Sequence, residues 1–575
     1  MVKIQVSGLL LAAVLPVACV PAPSRVAPSS GAEPPPAWSP DAGNGRYRNP
    51  IVFADYSDPD VIRVGDDFYM TSSSFNAFPA LPILHSRDLV HWTIVNHAID
   101  RFPDPAFDTP QHGNGVWAPS LRYHDGWFWI FYGDPDRGIY MVKTRDIRDR
   151  WEPPVLVREA KGWIDPAPLW DDDGNAYLVH AFARSRSGIK HVLHVNRMSP
   201  DGTRLLDEGR LVFGDSVEHP TLEGPKLYKR NGWYYIFAPA GGVPTGWQTV
   251  LRSRSVYGPY EDRIVLARGS TPVNGPHQGG YVELENGEGW FVHFQDREAY
   301  GRIVHLQPVA WKDDWPVMGH DPDGDGTGEP VLEYRMPDVG ATHSPVVPQT
   351  TDEFEDARPG LQWQWAAHYR ESWFSLADRR GWLRLRAQPM PHGAANLWPV
   401  PNLLLQMLPA PEFQATTRIS FAGAAAGERA GLVVTGMDYA WLGVERTAGG
   451  VELVQARAVD APQGAPETVS QRIPVSSPEL YLRVTVENPE GHQALCRFWY
   501  SLDGRRFQPV GPPFPARPGR WIGARVGLFA LRPAGSPAGG HADFEFFRIG
   551  PRADPSAPSS GDPARRPAVL SEPPD

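Results

Sequence analysis

Asp58 in "YSDPDV", Asp165 in "WIDPAP" and Glu223 in "LEGPKL" each stand one or two residues before a proline, at the head of a stretch rich in apolar and aromatic residues. Paired carboxyls suit glycoside hydrolysis. One stays protonated near neutral pH and donates to the leaving oxygen, while another is ionised and acts on water or on the sugar. A third nearby holds the acid's pKa up by like-charge repulsion. Each residue also has a plainer reading. Asp-Pro pairs are frequent in turns, because Asp bonds its own backbone and Pro presets a dihedral. Glu before Gly-Pro has no such turn role, and a lone buried Glu is costly unless protonated or paired.

The elements that must position these groups repeat. A glycine turn followed by an aromatic-rich strand occurs at Gly65, Gly126, Gly174, Gly232 and Gly287, as in "YHDGWFWIFYG" and "KRNGWYYIFAP". A proline precedes the strand before each turn, at Pro59, Pro119, Pro166, Pro225 and Pro276, with steps of 60, 47, 59 and 51 residues. Five copies of a strand-rich unit near 55 residues, with almost no helical periodicity, predict an all-β five-bladed propeller over residues 45–345. In a propeller the first strand of each blade lines the axis, so the residues beside the recurring proline crowd round one mouth. These are Asp58, Trp117, Asp165, Glu223 and His277. Three carboxylates at matched repeat positions point to catalysis rather than to turns.

Residues 350–550, with evenly spaced short strands such as "FQATTRISF" and "LYLRVTVEN", predict a β-sandwich of jelly-roll, concanavalin-like type. The N-terminus "MVKIQVSGLLLAAVLPVACV" reads as a signal peptide over residues 1–19, and Cys19 after "LPVA" is a candidate lipidation site. The expectation is an exported bacterial protein, periplasmic or membrane-anchored as a lipoprotein. Pro/Ser/Ala-rich segments at 20–44 and 551–575 read as a linker and a tail that pack no core. A net charge of −11 without a basic run argues against a nucleic-acid partner. The 21 Trp, 19 Tyr and 24 Phe offer flat faces to sugar rings as well as filling β cores. "HDPDGDGTGEP" opens like a calcium loop, but counting from Asp321 the twelfth residue is Leu332, so an acidic turn through Asp321, Asp323 and Asp325 is the better reading.

Taken together, "NPIVFADYSDPDVIRVGDDFYMTSSSF", "GVWAPSLRYHDG", "WIDPAPLWDDDGNAYLVHA", "EGPKLYKRNGWYYIF", "NGPHQGG" and "YGRIVHLQPVAW" resemble glycoside hydrolase family 43, most of all its β-xylosidase and α-L-arabinofuranosidase branches. The resemblance implies an exo-acting, inverting enzyme that releases terminal α-L-arabinofuranosyl or β-D-xylosyl units from hemicellulose oligosaccharides, and overall likeness leans to the arabinofuranoside. It implies Asp58 as base, Asp165 as pKa modulator, Glu223 as acid and Arg302 as a contact to the terminal sugar. It implies no required cofactor, with His277 as an axial residue that can hold a cation, often calcium through waters. A hydrogen-bonded core histidine is the equal alternative for His277. Trp117 and Phe75 either stack on sugar or pack a blade. Two other functions compete. A sugar-binding lipoprotein without catalysis would not need all three carboxylates. A retaining fructoside hydrolase would carry Asn-Asp-Pro-Asn, Arg-Asp-Pro and Glu-Cys motifs where this chain has "SDPD", "WIDP" and "LEGP".

Overall fold

The computed structural model describes Met1 and residues 36–552, apart from His492 and Ala538. The expected signal segment, Cys19, the linker up to residue 35 and the tail beyond 552 lie outside the described residues. Five four-stranded antiparallel meanders follow one another, each paired in simple chain order. Their first strands are Asp60–Val64, Trp117–His124, Trp163–Trp170, Lys226–Arg230 and His277–Glu283. These strands contact their neighbours around the axis, so the fold is a five-bladed propeller. Tight hairpins set each blade: Asp125-Gly126 and Asn231-Gly232 both have two consecutive positive φ values, the geometry that matches strand twist. The second strands are covered on both faces by adjoining blades and read as continuous apolar runs, such as the almost fully buried Trp127–Asp134.

All five first strands begin with the same distortion. Asp58 (φ 54°), Ala118 (29°), Asp165 (57°), Gly224 (59°) and Gln278 (41°) lie in the left-handed region, four of them without being glycine. The register shifts by one residue at this point in blades two, three and five, between Trp117 and Ser120, Ile164 and Ala167, and His277 and Gly279. Such bulges re-aim a side chain at the end of a strand, and here the re-aimed residues ring one mouth of the axis.

This register corrects two expectations. Glu223 does not match Asp58 and Asp165 in position. It precedes left-handed Gly224, at the place held in the other blades by Ser57, Trp117, Ile164 and His277. In blade five Pro276 is not the repeating proline; Gly279 stands where the other blades have Pro59, Pro119, Pro166 and Pro225, and Gln278 is the rim residue.

Strand side chains alternate with period two, so the residues two beyond the rim form a second layer on the axis: Asp60, Ser120, Ala167, Lys226 and Gly280. All are buried. Lys226 crosses the channel and donates to the Pro119 carbonyl (2.7 Å) and Ser120 Oγ (2.9 Å). Asp60 accepts from the Leu121 amide (2.8 Å) and Arg122 (2.7 Å). Gly280 leaves room for this cluster, since a Cβ there would lie 2.5 Å from Asp60 Oδ1. The axis is therefore plugged by packed, charge-bearing side chains. The ring closes where Val304 exchanges backbone bonds with Val52 (2.9 and 3.3 Å) and Asn49 bonds Leu306 through both ends of its amide (2.8 Å each).

Beyond the propeller, two sheets from Gln364 to Gly550 pack face to face as a sandwich around residues such as Leu432, Leu482 and Phe544. Cys496 is buried within it as a free thiol. The described residues from 36 on form one compact unit, and the domains share a core, because Tyr300 of the propeller sits in the sandwich's apolar cluster. The linker expected to run to 44 shortens accordingly. Trp38 packs on the sandwich core and Arg48 N–H bonds the Pro40 carbonyl at 2.8 Å.

Replacing Lys226 by Met leaves the Pro119 and Ser120 oxygens without their donor and weakens the neutralisation around Asp60. The expected loss is about 2–4 kcal/mol, read as a lower urea midpoint at unchanged slope. An unchanged midpoint would show that the plug does not support the ring.

Candidate active site

At the rim, Asp58 accepts four hydrogen bonds. Ser57 Oγ (2.8 Å) and Ser73 Oγ (2.5 Å) bond its Oδ2, and Arg302 Nη1 approaches Oδ1 and Oδ2 at 3.1 and 3.3 Å. Arg302 also bonds Ser57 Oγ at 2.5 Å. Asp165 lies across the mouth, its Oδ2 accepting the Gly224 amide at 2.8 Å. That bond fixes the peptide next to Glu223, whose own amide bonds the Pro239 carbonyl at 3.1 Å. Asp58, Asp165, Glu223 and Arg302 thus line a single cavity of about 90 Å³, together with Phe75, Trp117, Ala118, Ile164, Val243, Gln278 and Trp521.

The electrostatics separate the carboxyls. Burial pushes Glu223 up to about 8, and the charges of Asp165 and Asp58 push the same way against Arg302. A quarter of the Glu223 side chain remains open, so its carboxyl faces the cavity. Burial also raises Asp165 to about 7; the Gly224 amide opposes this, while Asp58 adds to it. Asp58, gripped by an arginine and two hydroxyls, is an acceptor in every bond it makes. One mouth therefore holds a carboxyl that keeps its proton at neutral pH and a second one presented as a base.

The structure brings Asp58, Phe75, Trp117, Asp165, Glu223 and Arg302 to this mouth, while His277, expected at the rim, lies behind it and Gln278 takes its place. Phe75 is buried with φ 50° and meets Trp117 edge-on at 6.1 Å; both line the cavity. His277 is fully buried, lies just behind Glu223 with Nε2 3.6 Å from Oε1, and has no hydrogen bond at either ring nitrogen. Burial drives its pKa down to about 3, so the imidazole is neutral. Among the described residues the only group of three or more His, Cys, Asp or Glu close enough to share an ion is the exposed-to-half-buried Asp321, Asp323 and Asp325, far along the chain from the rim.

Besides the aliphatic Ala118, Ile164 and Val243, sequence reasoning missed one polar and one aromatic wall residue. Gln278 was hidden by the false match at Pro276. Trp521 belongs to the sandwich, 53% exposed, with its ring 6.2 Å from that of Trp117 and 6.0 Å from the Arg302 guanidinium. Asp55 anchors it. This buried carboxylate accepts the Arg302 amide on one oxygen and the Gly523 amide on the other, both at 2.8 Å. Gly523 permits the approach, because a Cβ would lie 2.7 Å from the Gly301 nitrogen.

Residues 47–316 match the family described as glycosyl hydrolases family 43, and residues 351–550 match the β-xylosidase C-terminal concanavalin A-like domain. A putative β-xylosidase of Xylanibacter ruminicola is 42% identical over 491 residues, covering 85% of this chain and 86% of that one. The chain belongs to glycosyl hydrolase family 43. A non-reducing end α-L-arabinofuranosidase of Bacteroides ovatus is 30% identical over 463 residues, covering 76% of this family 43 chain and 83% of its own. The crystal structure of a xylan β-1,4-xylosidase from Bacillus halodurans superposes with a TM-score of 0.76 at 26% identity, over 87% of this chain and 99% of that one. This family 43 protein is accordingly a glycoside hydrolase.

For this glycosidase, Asp165→Asn removes the larger of the two charges that raise Glu223. The alkaline limb of kcat/KM should then move to lower pH, since an acid of lower pKa loses its proton sooner. A limb that stays in place would separate Asp165 from Glu223. Trp521→Ala should raise KM for a disaccharide about tenfold while leaving the fold's melting temperature nearly unchanged; an unaltered KM would place the ring outside the substrate path.

Proposed function

We propose that this enzyme removes terminal pentosyl units from hemicellulose oligosaccharides with inversion at the anomeric carbon. Glu223 is the general acid, Asp58 the base that activates water, and Asp165 the residue that raises and orients Glu223. The reading is carried by a carboxyl raised to about 8 in the same small cavity as an arginine-held carboxylate. Protonation of the leaving oxygen by Glu223 and removal of a proton from water by Asp58 make one displacement. Arg302 and the Phe75–Trp117–Trp521 aromatics supply polar and flat contacts to the terminal sugar and to the unit next to it. Exo action follows from a pocket closed at its inner end by the buried second layer, which admits the end of a chain and not its middle.

Relatives named as β-xylosidase and as arabinofuranosidase support a pentoside substrate, and the higher identity of the putative β-xylosidase moves the preference from arabinofuranoside to β-D-xyloside. His277, with two unpartnered ring nitrogens, fits a cation on the axis, calcium held largely through waters; bound there it would add positive charge behind Glu223. The N-terminal sequence supports export, with Cys19 as a lipid attachment site.

Proton NMR of the reaction with 4-nitrophenyl β-D-xylopyranoside and α-L-arabinofuranoside tests the reading. The first anomer released should be opposite to the substrate's; release with retention overturns the assignment of Asp58. Glu223→Ala should lose about two to four orders of magnitude on xylobiose and far less on the activated aryl glycosides. Equal losses on both would remove Glu223 as the acid.

A further inference from the structure

At the end of the axis opposite the rim, the five first strands finish around an open bowl of about 500 Å³, larger than the rim cavity and extending between blades four and five. The plug of Asp60, Ser120 and Lys226 separates it from Asp58 and Glu223. Its wall carries partly exposed aromatic side chains, Tyr123, Tyr228, Tyr281 and Trp311. Trp311 donates its indole N–H to Tyr281 Oη at 2.9 Å, and Tyr281 in turn donates to Glu283 at 2.8 Å, which holds these rings in place. Fixed aromatic faces of this kind are platforms for sugar rings.

The bowl is basic in a chain of net charge −11. Arg63, Arg122, Arg230 and Lys229, the last paired with Asp171 and Asp172, line it against the single carboxylate of Glu283. Arg230 is braced by Glu283 at 3.1 Å and lies over Trp311 at 4.3 Å. Arg122 uses Nη1 on Asp60 and the Leu121 carbonyl, and its Nη2 is buried, with the guanidinium 5.2 Å from the Tyr228 ring, so it adds positive charge beneath the bowl rather than a donor into it. Arg63 retains its donors. Arg63 has one ion-pair partner, the exposed Glu285 at 3.7 Å, beyond hydrogen-bonding distance. Guanidinium groups with open donors recognise carboxylates through paired, planar hydrogen bonds.

We propose that this bowl is a second saccharide site, taking the uronic acid unit of an acidic hemicellulose oligosaccharide. The carboxylate would be met by Arg63, with the charges of Arg122 and Arg230 behind it, and the sugar ring by the exposed face of Tyr123. The choice of hemicellulose rests on the proposed function; the recognition of a carboxylate-bearing sugar rests on the bowl alone.

The test is isothermal titration of the full chain carrying Glu223→Gln, which prevents turnover, with a xylo-oligosaccharide bearing one glucuronic acid branch, with the unbranched oligosaccharide and with inorganic phosphate. The acidic oligosaccharide should show one binding event that the unbranched one lacks. Arg63→Glu and Tyr123→Ala, both at the outer edge and away from the Asp60 pair, should each weaken that event, about tenfold or more for the charge reversal, and leave binding of the unbranched oligosaccharide unchanged. Identical isotherms for branched and unbranched ligands, or no response to either variant, would overturn the proposal. So would phosphate displacing the acidic oligosaccharide at equal concentration, which would mark a simple anion site. Cleavage of aryl pentosides by the unmodified enzyme, measured in parallel, keeps the two readings apart: cleavage without the second event refutes the bowl alone, and the second event without cleavage supports the bowl while refuting the pentosidase.

Discussion

Five times the chain enters a first strand through one residue of positive φ, and the site depends on that distortion. A regular strand start would alternate its side chains between the two faces of a blade. The bulge instead turns Asp58, Asp165 and Gln278 inward at one height, and sets Glu223 immediately before Gly224. Left-handed backbone at Asp, Ala and Gln costs about 1 kcal/mol or more at each. Other bonds hold it there. Ser73 Oγ bonds both Asp58 and the Ala118 amide, and Asp165 bonds the Gly224 amide, so the strained residues of neighbouring blades restrain one another.

The same geometry governs the charges. The carboxyls share a buried mouth in which Asp58 raises Asp165 and both raise Glu223, and the arginine that pairs with Asp58 comes from the adjoining blade five, on the strand Arg302–Lys312. Arg302 is positioned by Asp55, which also holds the sandwich loop of Trp521. Protonation at the rim and the position of the outer wall are thus set through one buried carboxylate. The sandwich is a structural part of the pocket.

Much of this was legible in the sequence, for physical reasons. Glycine turns and aromatic strands recur because every blade must solve the same packing problem, so the propeller shows as a period near 55 residues. Asp58, Asp165 and Glu223 stand in motifs whose neighbours are constrained by the bulge, and Arg302 was legible only through the family resemblance of "GRIVHLQP". What was not legible depends on contacts between distant segments. Trp521 reaches the mouth only through the packing of a second domain, which leaves no periodic trace. Gln278 was masked because Pro276 imitates the repeating proline three residues out of register. The Lys226–Asp60 layer was overlooked although it lies two residues beyond the rim in every blade, since a buried lysine in a strand reads as a surface one until its partners are known.

The plugged axis has a consequence for the order of events after bond cleavage. A socket with a single door cannot pass its cargo through, so in the proposed reaction the shortened oligosaccharide, held nearer the opening, leaves before the freed monosaccharide. The free pentose is then the last species to depart, and it occupies the form of the enzyme that the next chain end has to enter. Accumulating monosaccharide therefore competes directly with substrate, and turnover in a concentrated digest is governed by how quickly the innermost sugar escapes.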